Sequence, residues 1–196
     1  MKIFIGLVVL TLGVSFGTSG VAAQGSMMKS DMKKMDGNPM VGGAAMYKNK
    51  NIVENAVNSK DHTTLVAAVK AAGLVDTLSG KGPFTVFAPT NSAFDALPAG
   101  TVDSLLKPEM MSMLKKVLTY HVVAGKMDSK AIAKAIKKGK GTARLTTVSG
   151  GTLTAMMEGN RLVLTDEKGG KSIVTIANVY QSNGVIHEVN SVLMPS

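Results

Sequence analysis

The chain has 196 residues, with 22 Lys and Arg against 13 Asp and Glu for a formal net charge of +9, and it contains neither cysteine nor tryptophan. The length allows one module with a substantial core, and the missing cysteines exclude disulfides, thiolate metal sites and a lipid-bearing cysteine. The positive balance favours partners with negative surfaces, while an aromatic content of 4 % leaves little for base stacking and argues against nucleic acid.

The chain opens with MKIFIGLVVLTLGV, which places Lys2 before an apolar stretch too short and too glycine-interrupted to span a bilayer comfortably. Val21-Ala22-Ala23 then offers small residues for cleavage, so residues 1–23 predict a secretory signal peptide, with a membrane anchor as the alternative. Cleavage would take the formal charge to about +8 and leave no later apolar segment long enough to cross a membrane. The expected product is not an integral membrane protein and lies in the periplasm or outside the cell. Residues 24–46, rich in Met, Lys and Gly without apolar periodicity, predict a disordered tail ahead of a domain over 47–196.

From Asn51 the pattern becomes helical: Ile52, Val53, Ala56 and Val57 recur at helix spacing, and a second helix after Asp61 carries Leu65, Val66 and Val69 on one face and stops at Gly73. Phe84 to Ala88 reads as a short buried strand that ends at Pro89, with Thr90 or Asn91 placed to cap a helix near Ser92. Thr101 is placed to cap a turn through Leu105, and Pro108 suits the first position of a helix carrying Met111, Leu114 and Leu118 inward. Asp128 to Lys140 predicts a further helix with Ile132, Ala135 and Ile136 on its apolar side. From Arg144 the period becomes two, giving strands at 145–148, 152–156, 161–165, 171–179 and 185–189 with glycine-containing turns between most of them. Helices first and strands second predict a single α+β domain, helices packed on an antiparallel β-sandwich or wedge.

Three segments stand out in this order: KGPFTVFAPTNSAF (81–94), VLTYHVV (117–123) and NGVIHEVNSVLMP (183–195). Together they resemble the two end motifs and the central Tyr-His motif of the fasciclin domain, over Tyr47 to Pro195. The matching residues are Phe84, Thr85, Val86, Phe87, Ala88, Pro89, Thr90, Asn91 and Phe94, then Tyr120 and His121, then Asn183, Gly184, Val185, Ile186 and His187. The resemblance implies a fasciclin-like fold whose motifs pack against one another, and a secreted bacterial protein engaged in cell-surface or extracellular-matrix adhesion. Adhesive animal members tend to carry Asp-Ile upstream of the last motif, where this chain has Asn178-Val179; an asparagine lacks the anionic oxygen that an integrin's metal coordinates.

The chemistry-bearing residues offer no recognisable enzyme. His62, His121 and His187 lie far apart in sequence without cysteine, and the latter two read as core histidines satisfied by backbone or hydroxyl partners. Beyond the expected signal peptide no Gly-x-Ser-x-Gly occurs, Ser149-Gly150-Gly151 reads as a turn, and Gly80-Lys81-Gly82 lacks the spacing of a phosphate loop. No cofactor is called for. Lys134, Lys137, Lys138, Lys140 and Arg144 form a candidate partner-binding face beside Asn178-Val179, suited to a cell-surface or matrix protein or an anionic polysaccharide. The alternative is periplasmic copper handling, with Met27, Met28, Met32, Met35 and Met40 as soft thioether ligands for Cu(I). A third reading is an apolar small ligand held between helices and sheet.

Overall fold

The computed structural model describes residues 38–196. The fold begins earlier than the hydrophobic periodicity suggests. Residues 38–46 belong to it, because Met40–Val41 (β1) and Ala44–Ala45 (β2) form a hairpin that drives Val41 and Met46 into the core. Gly42 and Gly43 supply the two positive φ values (56° and 76°) of such a tight turn. The expected tail therefore stops short of these residues, and its remainder, like the expected signal peptide, lies outside the described residues.

Ile52–Ala56 (α1) opens on a capping box: the Asn51 side chain accepts from Glu54 N (2.9 Å) and Glu54 accepts from Asn51 N (2.7 Å). A 3-10 turn, Lys60–His62, leads into Thr63–Ala71 (α2), which ends where Gly73 takes φ 65° and Leu74 N donates to Val69 O. Val75–Ser79 (α3) precedes Phe84–Pro89 (β3), and Thr90 caps Asn91–Asp95 (α4) through Ala93 N (3.3 Å). Thr101–Leu105 (α5) starts after Gly100 at φ 79°, so glycine holds the cap position expected of Thr101. Pro108 heads a 3-10 turn that runs into Met111–Tyr120 (α6), and Val122–Ala124 (β4) follows at once. Ser129–Lys138 (α7) is capped by Asp128. Then come Thr142–Thr146 (β5), Thr152–Glu158 (β6), Arg161–Thr165 (β7), Lys171–Gln181 (β8) and Gly184–Val189 (β9).

The class is α+β, with seven strands ordered β4-β3-β9-β8-β7-β6-β5. The sheet is mixed rather than wholly antiparallel, because β3 and β9 run parallel from Phe84↔Gly184 to Pro89↔Val189. It also curls until its ends meet, Val123 bridging Thr147 and Val148 N donating to Val122 O at 2.7 Å. Two cores result. On the helix side Val86, Ala88 and Ile186 meet Ile52, Leu65, Val69, Leu114 and Leu118; inside the curled sheet Phe87 and Val189 meet Ile132, Ile136, Leu145, Leu153 and Leu164. Strand β3 is covered on both faces, which is why it reads as an apolar run interrupted only by Thr85. Val57, expected inward, is 46 % exposed at the frayed end of α1.

Gly184 faces the carbonyl of its parallel neighbour: a Cβ there would stand 2.2 Å from Phe84 O. Gly184→Ala should therefore push the central strands apart and cost about 2 kcal/mol, read as a lowered midpoint in denaturant titration. A midpoint equal to the parent's would show that the strands absorb the methyl group.

Candidate functional site

The three motif segments converge on the β3–β9 pair and its flanks. Asn183 binds three ways with its side chain, accepting from Ile52 N (3.0 Å) at the start of α1 and donating to Leu78 O (2.8 Å) and Gly80 O (2.9 Å) at the end of α3. Asn91 does the same for α2, accepting from Thr64 N (3.0 Å) and donating to Lys60 O (2.8 Å). Thr85 donates to Gly125 O (2.6 Å) and accepts from Met127 N (2.8 Å), holding the chain that enters α7.

Tyr120 and His121 point to different partners. The Tyr120 hydroxyl donates to Thr152 O (2.8 Å) and accepts from Glu167 N (3.1 Å), while its ring is wholly buried in the sheet-side core. Burial pushes its pKa up to about 12. His121 ties the end of α6 to the last segment: Leu193 N donates to its Nε2 (2.9 Å), so the proton sits on Nδ1 and is donated to Val117 O (2.8 Å). Burial drops its pKa to about 4. His187 donates from Nε2 to Met127 O (2.9 Å) and lies 5.6 Å from the Phe87 ring in a stacked pair, and burial lowers its pKa as well. Val185, like His187, is fully buried. The motif side chains are thus joints of the fold; Tyr120, His121, Val185, Ile186 and His187 are buried, and Phe84, Thr90, Asn91 and Asn183 are only partly exposed.

Asn178 and Val179 are also committed inward. Val179 is 1 % exposed, and Asn178, at φ 64° within the register shift of β8, binds Ser129 N (2.7 Å) and Ser129 Oγ (2.7 Å) through its amide. Both were candidates for partner contact; the pair instead fixes the start of α7 to the sheet. Lys134, Lys137, Lys138 and Lys140 are exposed, but Arg144 does not join them. Its neighbours Ala143 and Leu145 face the core that α7 covers, so alternation along β5 turns Arg144 to the opposite side of the sheet. Lys140 sits at φ 55°, a position after α7 where glycine is usual.

Of the methionines, Met27, Met28, Met32 and Met35 lie outside the described residues; Met40 is 53 % exposed on β1 and Met46 is core. The slot between α1, α2 and β3, lined by Ile52, Val66, Val69, Val86 and Leu118, has a volume of about 40 Å³, too little for the apolar ligand considered from sequence. Among the described residues no group of three or more His, Cys, Asp or Glu is placed to hold a metal ion, and no helix is long and apolar enough to cross a membrane.

Sequence reasoning missed two buried polar pairs. Asn55, fixed to Tyr47 N and O (3.0 and 2.7 Å), donates to the Gln181 side chain. His62 Nδ1 meets Ser59 Oγ (2.9 Å), and its Nε2 lies 3.9 Å from Glu188 Oε2, whose other oxygen accepts from Thr175 Oγ1 (2.7 Å). Burial lowers the His62 pKa against the opposing pull of Glu188. The alternation of β9 could have flagged Glu188 as facing α2, since Ile186 two positions earlier faces the helices.

The fasciclin domain family model matches residues 60–195, and the chain belongs to that family. It is 44 % identical over 166 residues to protein sll1483 of Synechocystis sp., covering 85 % of each chain. It is 37 % identical over 145 residues to the cell surface glycolipoprotein MPB83 of Mycobacterium bovis, covering 71 % of this chain and 58 % of that one. Among solved structures, the FAS1 domain pair of the insect cell adhesion molecule fasciclin I superposes with a TM-score of 0.65 at 18 % identity, over 74 % of this chain and 51 % of the other. This last likeness is one of fold.

Two outcomes test the joints. Tyr120→Phe strips the partner from the Thr152 carbonyl and the Glu167 amide and should cost ~2 kcal/mol in a thermal or denaturant melt, with secondary structure retained. The neutral His121 makes stability depend on pH: above about 6.5 neither the folded nor the unfolded state takes up its proton, and between 6.5 and about 4 only the unfolded chain does. Stability should therefore fall across that window, by about 3 kcal/mol from this residue, and level off below it. His121→Gln should flatten that part of the curve; an unchanged slope would assign the acid loss to other groups.

Proposed function

We propose that the protein is an exported, non-enzymatic interaction module that binds at the cell surface or in the surrounding matrix, and that adhesion is carried by the exterior of the folded unit rather than by its motif side chains. The observation behind this reading is the inward commitment of Tyr120, His121, Val185, Ile186 and His187, each buried. A partner has no access to them, whereas α7 presents a dense positive face. Family membership supports the reading, as do the cell-surface and cell-adhesion descriptions of MPB83 and fasciclin I. Its partner is a cell-surface or matrix protein or an anionic polysaccharide.

Crosslinked capture from native envelope and medium tests this, with the full chain beside a version starting at Asn38. Both forms should retain the same partner. Capture by the full chain alone would move the function ahead of Asn38 and restore the methionine-rich segment as its carrier.

A further inference from the structure

We propose that the groove between α7 and the β6–β8 part of the sheet binds an anionic polysaccharide, a chain of uronic or sulfated sugars; the inference rests on the adhesion reading above and names its ligand. Over residues 38–196 there are 18 basic and 11 acidic side chains, and six of the basic ones fall on Ser129–Arg144, which holds no acid. Elsewhere the described domain is close to balanced. Four of the six lie on α7, with Lys140 just beyond it and Arg144 on the far side of β5, and α7 borders an open groove of about 560 Å³.

The groove has two walls and a floor. Ser129, Lys130 and Ala133 of α7 form one wall, and Lys137 continues the same helix flank seven positions after Lys130. Asn160 and Arg161, at the β6–β7 turn, form the other, and the half-buried Leu162 and Val174 make an apolar floor. Among the described residues, neither Lys130, Lys137 nor Arg161 is in an ion pair. The nearby acids are engaged elsewhere: Glu158 with Lys171 (2.6 Å), Asp128 with Ala131 N (2.8 Å) and Tyr180 OH (3.2 Å).

This combination selects a ligand chemistry. Cationic donors on both walls suit carboxylate or sulfate groups, while an apolar floor suits the C–H faces of sugar rings. Lys130 and Lys137 stand two helical turns apart, about 10 Å, comparable to the repeat of a disaccharide, so a regular polymer can meet both. A nucleic acid would want stacking aromatics, which the groove lacks. Ala133 is the small residue that keeps the groove open.

The test uses the full chain with alginate, dextran sulfate and unsulfated dextran, and with anionic phospholipid vesicles, measuring affinity at ~50 and ~500 mM salt. One or both anionic polymers should bind, more weakly at high salt, and neutral dextran should not. Ala133→Phe, which fills the groove without touching charge, and the pair Lys130→Ala with Arg161→Ala should each weaken binding roughly tenfold or more at unchanged melting temperature. Lys134→Ala with Lys138→Ala, away from the groove wall, should cost less than about threefold. Binding unaffected by Ala133→Phe, equal loss in both lysine-containing pairs, or vesicle binding that matches the polymers would overturn the proposal. Envelope capture that persists with Ala133→Phe while polymer binding is absent would overturn the groove and leave the adhesion reading standing.

Discussion

The parallel pairing of β3 with β9 is the constraint on which the rest of the molecule depends. It joins positions a hundred residues apart, Phe84 with Gly184, and so closes well over half of the described domain into one loop. Such a contact costs chain entropy, and it is held by the side chains around it. Asn183 draws the ends of α1 and α3 to the entrance of β9, Gly184 lets the backbones approach, and His187 reaches across to the segment before α7. Both cores then lean on the pair, one on each face.

Burial of so many hydrogen-bonding groups makes the pairing specific. Burial lowers the pKa of His121 and His187, and each has a named backbone partner, so ring orientation fixes which backbone groups it joins. An apolar side chain of similar size would fill the same volume, but it would leave the Leu193 amide and the Val117 carbonyl unpaired. The Tyr-His dipeptide therefore reads as two crosslinks pointing apart from adjacent residues, one to the β6 and β7 turns and one to the C-terminal segment. The acid-sensitive stability described above is the consequence of using imidazole for this.

Much of the fold was legible because its local signals agreed. The capping position at Thr90, the stop at Gly73, Pro108 at a helix start and the glycine turns among the late strands each have a local physical cause that survives folding. The missed features share a different origin. The parallel register of β3 and β9 depends on long-range pairing, and nothing within either strand distinguishes parallel from antiparallel neighbours when both faces are covered. The β1–β2 hairpin was hidden because its strands are two residues long, too short for a period to show, although Gly42-Gly43 marked its turn. Arg144 was grouped with the lysines by closeness in sequence; only the sheet's alternation separates it from them. Asn178-Val179 was singled out by its place in the family resemblance, and only the register shift of β8 shows that the pair is taken up in fixing α7.

The motif that identifies the family and the surface that would distinguish this member are therefore different parts of the molecule. The joints of this fold face inward, and an inward joint cannot also be a contact. The exterior is left for contact, and its charge is uneven: nearly balanced over most of the described domain, with four lysines and no acid on α7. Self-repulsion among like charges on a single helix is unfavourable. The helix carries it because Ile132 and Ile136 anchor its other side in the sheet-side core, so packing rather than propensity sets its stability. Lys140, exposed just beyond the helix, adds a further positive charge from a left-handed backbone position that favours glycine, a second local cost. Two such costs at and just after one helix, beside an open groove, are what a surface shaped for a negatively charged partner would carry.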